Sequence, residues 1–78
     1  MRSFKAKIAI MDVMKLTLRQ WRRMSDLSQK KAAEIFNVSH DTISRWESGE
    51  THPSAPQIAE ICRVYKCKFE DIEWTQVK

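Results

Sequence analysis

The side chains best equipped for chemistry lie between Gln29 and His52. His40, Asp41, Ser44 and Arg45 stand at i, i+1, i+4 and i+5, which places all four on one side of an α-helix. They offer a guanidinium that only donates, a carboxylate that only accepts, and a hydroxyl and an imidazole that do both. Such a set suits recognition by hydrogen bonding rather than making or breaking bonds. His40, His52, Cys62 and Cys67 raise the alternative of a metal site, but their spacings match no usual zinc pattern. Cys62 falls on an apolar helix face and reads as packing. No metal, cofactor or catalytic residue is expected. A helical chain of 78 residues rarely encloses a substrate pocket on the order of several hundred Å³. An enzyme is therefore not expected.

A series of cap signals supplies the elements that must position this face. Thr17-Leu18-Arg19-Gln20 has the spacing of a capping box, and Leu18, Trp21 and Met24 form an apolar stripe that stops near Ser25-Asp26. Ser28 opens a second helix, with Ala32, Ala33 and Phe36 on its apolar face and Asn37 at its end. Ser39 opens a third. Ile43, Trp46 and Glu47 face inward on it, the four polar residues face outward, and Gly49 is its stop. Ser54 caps a fourth helix, with Pro56 tolerated in its first turn and Ile58, Ile61, Cys62 and Tyr65 at i, i+3, i+4 and i+7. Cys67 and Phe69 lead into a short fifth helical turn through Ile72, and Ile72, Trp74 and Val77 leave an apolar tail. At the other end, Phe4, Ala6, Ile8 and Ile10 alternate with Lys5, Lys7 and Ala9. Residues 1–13 are predicted to be a short strand or a basic arm, and residues 14–78 the domain proper with a short tail.

Charge narrows the class of partner. The chain carries 14 Lys+Arg and 10 Asp+Glu, a net of +4. The average hides a polarity. Residues 1–31 hold nine basic and two acidic residues, a net of +7, whereas residues 32–78 hold five and eight, a net of −3. A basic pole opposite an acidic one suggests a protein that orients in the field of a nucleic acid. The longest apolar run, Ile8 to Met11, is far too short to span a membrane, and Asp12 follows it too closely for a signal peptide. A cytoplasmic location and no membrane partner are expected. With a single Gly in the chain, helices are favoured over a many-turned β protein.

Residues 29–48 are the informative stretch. Two short helices meet at the tight turn Phe36-Asn37-Val38-Ser39, and Ala33 is small enough to let them cross closely. Ile43 and Trp46 would seat the second on the first, leaving its polar face to project, as in a helix-turn-helix. Here the chain resembles a known family. Leu18-Arg19-Gln20-Trp21-Arg22, Leu27-Ser28-Gln29, Val38-Ser39, Thr42 through Glu50, and Pro53-Ser54 are similar, in register and in the gaps between them, to the Cro/lambda-repressor type of helix-turn-helix. The resemblance spans about Leu16 to Ile72. It implies an all-α, compact bundle of five helices, to which the residue pattern adds short extended segments at the termini. It also implies a transcriptional regulator, a repressor in particular. Its third helix reads the major groove, and a dimer binds a two-fold-symmetric operator of double-stranded DNA, in a bacterium or a phage.

Residue by residue, the resemblance places base reading on His40, Asp41, Ser44 and Arg45. It places backbone contacts on Gln29, Ser39, Thr42, Ser48, Thr51 and His52. The family's Arg–Glu pair falls on Arg22 and Glu47, with a structural role. Chemistry suits these roles: Arg45 can donate twice to guanine O6 and N7, and Asp41 can accept from cytosine N4. Asp26 and Asn37 stand where the family has Gly, and Lys66 and Lys68 where Gly and a capping Ser are common. Trp74 lies beyond the resemblance, with burial in the core or in a dimer contact as its expected roles. The alternative function is an antitoxin-like autoregulator that mainly binds a protein partner.

Overall fold

The structure, a computed structural model, describes residues 15–75. The strand or arm expected over residues 1–13 lies outside the described residues. In chain order the elements are β1 (Leu16–Thr17), α1 (Leu18–Met24), α2 (Gln29–Phe36), α3 (His40–Ser48), α4 (Ala55–Tyr65), one 3-10 turn (Phe69–Asp71) and β2 (Ile72–Glu73). Two features differ from the sequence expectation. Among the described residues there are four α-helices, not five, because Phe69–Asp71 closes only a single 3-10 turn. The segments flanking the bundle also pair. Leu16 lies opposite Ile72 and Thr17 opposite Glu73 in a two-residue parallel ladder.

Each helix starts on a side-chain cap. Thr17, Ser28, Ser39 and Ser54 accept from the amides of Gln20, Lys31, Thr42 and Gln57. In α1 and α4, Gln20 and Gln57 complete capping boxes by accepting the cap amides at 2.8 and 2.7 Å. The ends are equally uniform. Asp26, Asn37, Gly49 and Lys66 all have positive φ. In each case the next amide turns back onto a carbonyl five residues earlier: Leu27 to Arg22 at 3.2 Å, Val38 to Ala33 at 3.0 Å, Glu50 to Arg45 at 3.0 Å and Cys67 to Cys62 at 3.1 Å. This Schellman closure reuses orphan helix carbonyls and returns the chain sharply into the core. Glycine fills this position only at Gly49, so a chain with one glycine still makes four tight turns.

The core is Leu18, Ala32, Ala33, Ile43, Trp46, Ile61, Tyr65 and Ile72. Ala32 and Ala33 are the small residues over which α2 and α3 pack, and Ile43 and Trp46 are buried on the inner side of α3. Phe36 meets Tyr65 edge-on, with ring centroids 5.6 Å apart. Trp21 donates its indole N–H to the Asp71 carbonyl at 3.0 Å and so ties α1 to the 3-10 turn. Trp74 is half-buried against this core, tilted against His52 and Phe69.

Candidate nucleic-acid interface

The position of α3 is set from beneath by a buried polar cluster. Arg22, on α1, donates from Nε to Glu47 Oε2 at 2.6 Å and from Nη2 to Glu47 Oε1 at 3.2 Å. Its Nη1 donates to the Leu27 carbonyl at 2.8 Å. Both side chains are buried, 8% and 6% exposed. Such a fork-to-fork pair fixes orientation as well as distance, so the rotation of α3 relative to α1 is set. The cluster extends outward. Gln29, the first residue of α2, donates from Nε2 to Glu47 Oε1 at 3.0 Å. His40 Nε2 lies 2.8 Å from Gln29 Oε1. An ionised Glu47 only accepts, so the Gln29 NH₂ faces it and Gln29 Oε1 faces His40. His40 must then donate from Nε2, which leaves Nδ1 as an acceptor whenever the ring is neutral. A line of donors and acceptors thus runs from the core through Arg22, Glu47 and Gln29 to the exposed start of α3.

The outer face of α3 is open. His40, Asp41, Ser44 and Arg45 are all exposed. Asp41 Oδ2 lies 2.8 Å from Arg45 Nε, and Glu50 Oε1 lies 3.8 Å from the same atom. The sequence reading did not single out Glu50. Its signal was Gly49: a left-handed residue there returns the following side chain beside the last turn of the helix. At the start of α3, Ser39 Oγ accepts the Thr42 amide at 3.1 Å and shares a proton with Thr42 Oγ1 at 2.9 Å. Only one of those two hydroxyls donates to the other, so one hydroxyl proton stays available to an outside acceptor such as a phosphate oxygen. Ser48 Oγ instead donates to the Arg45 carbonyl at 3.2 Å.

The ten residues expected at this surface therefore fall into groups. Asp41, Ser44 and Arg45 share the open face of α3. Gln29 and His40 are joined to each other at the junction of α2 and α3. Ser39, Thr42 and Ser48 serve caps at the two ends of α3. Thr51 is exposed in the following loop, and the ring of His52 turns toward Trp74, with centroids 5.5 Å apart.

Elsewhere, Cys62 and Cys67 are free thiols at the end of α4. Burial pushes the Cys67 thiol up to about 12 and raises Cys62 as well, so both are protonated at neutral pH. Among the described residues, no three His, Cys, Asp or Glu side chains cluster closely enough to hold a metal ion. No helix among them is long and apolar enough to cross a membrane. Ile58, Phe69, Trp74 and His52 line an open apolar groove of about 310 Å³ on the side of α4, and Phe69 is 56% exposed there.

Comparison with known proteins agrees with this arrangement. A family model described as Helix-turn-helix matches residues 18–72, from the first residue of α1 to the first of β2. An uncharacterized HTH-type transcriptional regulator of Bacillus subtilis (strain 168), YgzD, is 30% identical over 63 residues, covering 81% of this chain and 96% of that protein. No solved structure matches the chain significantly.

Proposed function

The chain belongs to the XRE-type helix-turn-helix family, and from that membership we propose that it is a sequence-specific DNA-binding regulator of transcription, a repressor that occludes a promoter. The observation that carries this reading is the contrast across α3. Its inner side is fixed by Ile43, Trp46 and Glu47, while Asp41, Ser44 and Arg45 face outward and are exposed among the described residues. A helix held that firmly beneath and that bare above fits the major groove. His40 and Gln29 sit at the groove edge, where Gln29 is suited to a phosphate once His40 turns away. Ser39, Thr42, Ser48, Thr51 and His52 line the two ends, where DNA backbone passes. Exposed Lys30 and Lys31 at the start of α2 add charge of the right sign.

A two-fold-symmetric operator calls for two copies, with half-sites about 34–36 Å apart. The groove of His52, Ile58, Phe69 and Trp74 supports a second copy as its occupant, because its lining is largely apolar and carries an exposed aromatic. The same groove favours a second reading, an antitoxin-like autoregulator that seats a protein partner there. Light scattering of the purified chain separates the two: a dimer mass at micromolar concentration supports the first. A monomer that pairs only with another protein supports the second.

A salt titration of binding tests the primary reading, using random duplex, a site enriched from random sequence, and the Arg45→Ala variant. Specific binding is expected to exceed non-specific binding by roughly 10³ or more. Weak, unselective binding to every duplex would overturn it.

A further inference from the structure

Arg45 and Asp41 stand one helical turn apart on the exposed side of α3, and Nε is the Arg45 atom that Asp41 and Glu50 approach most closely. Asp41 is the nearer at 2.8 Å and Glu50 the farther at 3.8 Å. That pairing leaves the Nη1 and Nη2 groups, with four N–H donors, for an outside acceptor. The backbone beneath is pinned: the Arg45 carbonyl accepts from the amides of Gly49 and Glu50, each at 3.0 Å, and from Ser48 Oγ at 3.2 Å. Arg45 therefore starts from a fixed Cα, with a carboxylate beside its inner nitrogen.

Two roles for Asp41 are physically distinct. As an independent reader it accepts from cytosine N4, and to do so it must leave Arg45. An unpaired carboxylate would then enter a groove walled by phosphates, at an electrostatic cost. As a partner of Arg45 it stays at Nε. The pair enters the groove with no net charge, and the carboxylate holds the planar fork so that Nη1 and Nη2 point outward. The free chain already holds the 2.8 Å separation that the second arrangement requires, whereas the first must break it. We propose that Asp41 is a positioning residue for Arg45 and that the two side chains together read one guanine, with Nη1 and Nη2 donating to O6 and N7. This rests on the DNA-reading function proposed above. It assigns one base pair to two of the four side chains on this face.

The test enriches binding sites from random duplex with the full chain, in parallel for wild type, Arg45→Ala, Asp41→Asn and Asp41→Glu. In wild type, guanine at the Arg45 position should be preferred by about tenfold to a hundredfold, the discrimination of one bidentate contact. Asp41→Asn should lose most of that preference at the same base pair that Arg45→Ala relaxes, and at no other. Asp41→Glu, which keeps a carboxylate within reach of Nε, should retain it. Helical circular dichroism of each variant confirms folding, and the exposed position of Asp41 makes folding the expected result. If Asp41→Asn relaxes a different base pair, Asp41 reads a base itself and the inference is wrong. An unchanged Asp41→Asn motif also overturns it. If wild type enriches no sequence at all, the regulator reading fails and this inference goes with it.

Discussion

The molecule contains two arginine–carboxylate pairs that contrast in almost every respect. Arg22–Glu47 is buried, forked and joined to Gln29, with side-chain exposures of 8% and 6%. Arg45–Asp41 is a single close approach between side chains 54% and 70% exposed. Both involve α3, the first at its inner side and the second at its outer side. Coulomb's law is the same for both; water is not. Around the inner pair, solvent is excluded and each lost partner leaves a buried charge stranded. Around the outer pair, water competes for each group, so the pair adds little to folding stability and its remaining donors stay open to solvent or a ligand. Where a pair sits thus decides whether it builds the fold or stays available to a ligand.

The largest expected effect comes from breaking the inner pair. Glu47→Ala leaves the Arg22 guanidinium buried with only the Leu27 carbonyl as its partner, and should lower unfolding free energy by about 3–5 kcal/mol. Urea denaturation followed by helical circular dichroism measures it. For a domain of this size that is a large share of total stability, so a partly unfolded variant at room temperature is consistent with the expectation. A loss under about 1 kcal/mol would show that the pair is not what orients α3.

The outer pair should behave in the opposite way. Arg45→Ala should cost about 1–3 kcal/mol in binding to the enriched site and leave unfolding free energy within about 0.5 kcal/mol of wild type. Fluorescence anisotropy with labelled duplex and urea denaturation give the two numbers. A variant that loses stability and binding in equal measure would erase the distinction between the pairs.

Gln29 bridges the two regions, and its removal sharpens the comparison. Gln29→Ala deletes a hydrogen bond to the partly buried Glu47 carboxylate and releases His40. A stability loss of about 1.5 kcal/mol follows from a hydrogen bond to a charged group. If Gln29 also turns to a phosphate in the complex, affinity should fall alike for every duplex sequence, and the dependence of log K on log salt should be unchanged, because a neutral amide displaces no counterion. Full stability with reduced affinity would place Gln29 wholly at the interface.

Much of this division was legible in the sequence. The four N-caps and the stops at Asn37 and Gly49 follow from residue types whose side chains or backbones suit those geometries. The inward set Ile43, Trp46 and Glu47 and the outward set His40, Asp41, Ser44 and Arg45 follow from a helical period. What escaped depends on how the chain folds back on itself, in part through contacts between residues far apart in sequence. The two-residue ladder of Leu16–Thr17 with Ile72–Glu73 is too short to leave a periodic signal. The fifth helix shrinks to one 3-10 turn because Ile72 leaves it for that ladder. Lys66 in a left-handed conformation runs against its intrinsic preference, and the closure from Cys67 to Cys62 holds it there. At the surface, the residue types on the face were readable, but their pairings were not. The bond from His40 to Gln29 and the approach of Glu50 to Arg45 depend on how α2 and the loop after Gly49 come around α3.

The smallest effect is the most discriminating. In a double-mutant cycle on unfolding free energy, Asp41→Ala with Arg45→Ala should show a coupling of at most about 0.5 kcal/mol, the usual size of an exposed i,i+4 ion pair. That coupling should shrink further in 1 M salt, where the Debye length is about 3 Å. The same cycle run on binding to the enriched site should show a larger coupling, because in the groove the pair loses its water and one side chain orients the other. Equal couplings in the two cycles would mean that Asp41 and Arg45 act independently on DNA, and the outer pair would then be only a surface ion pair.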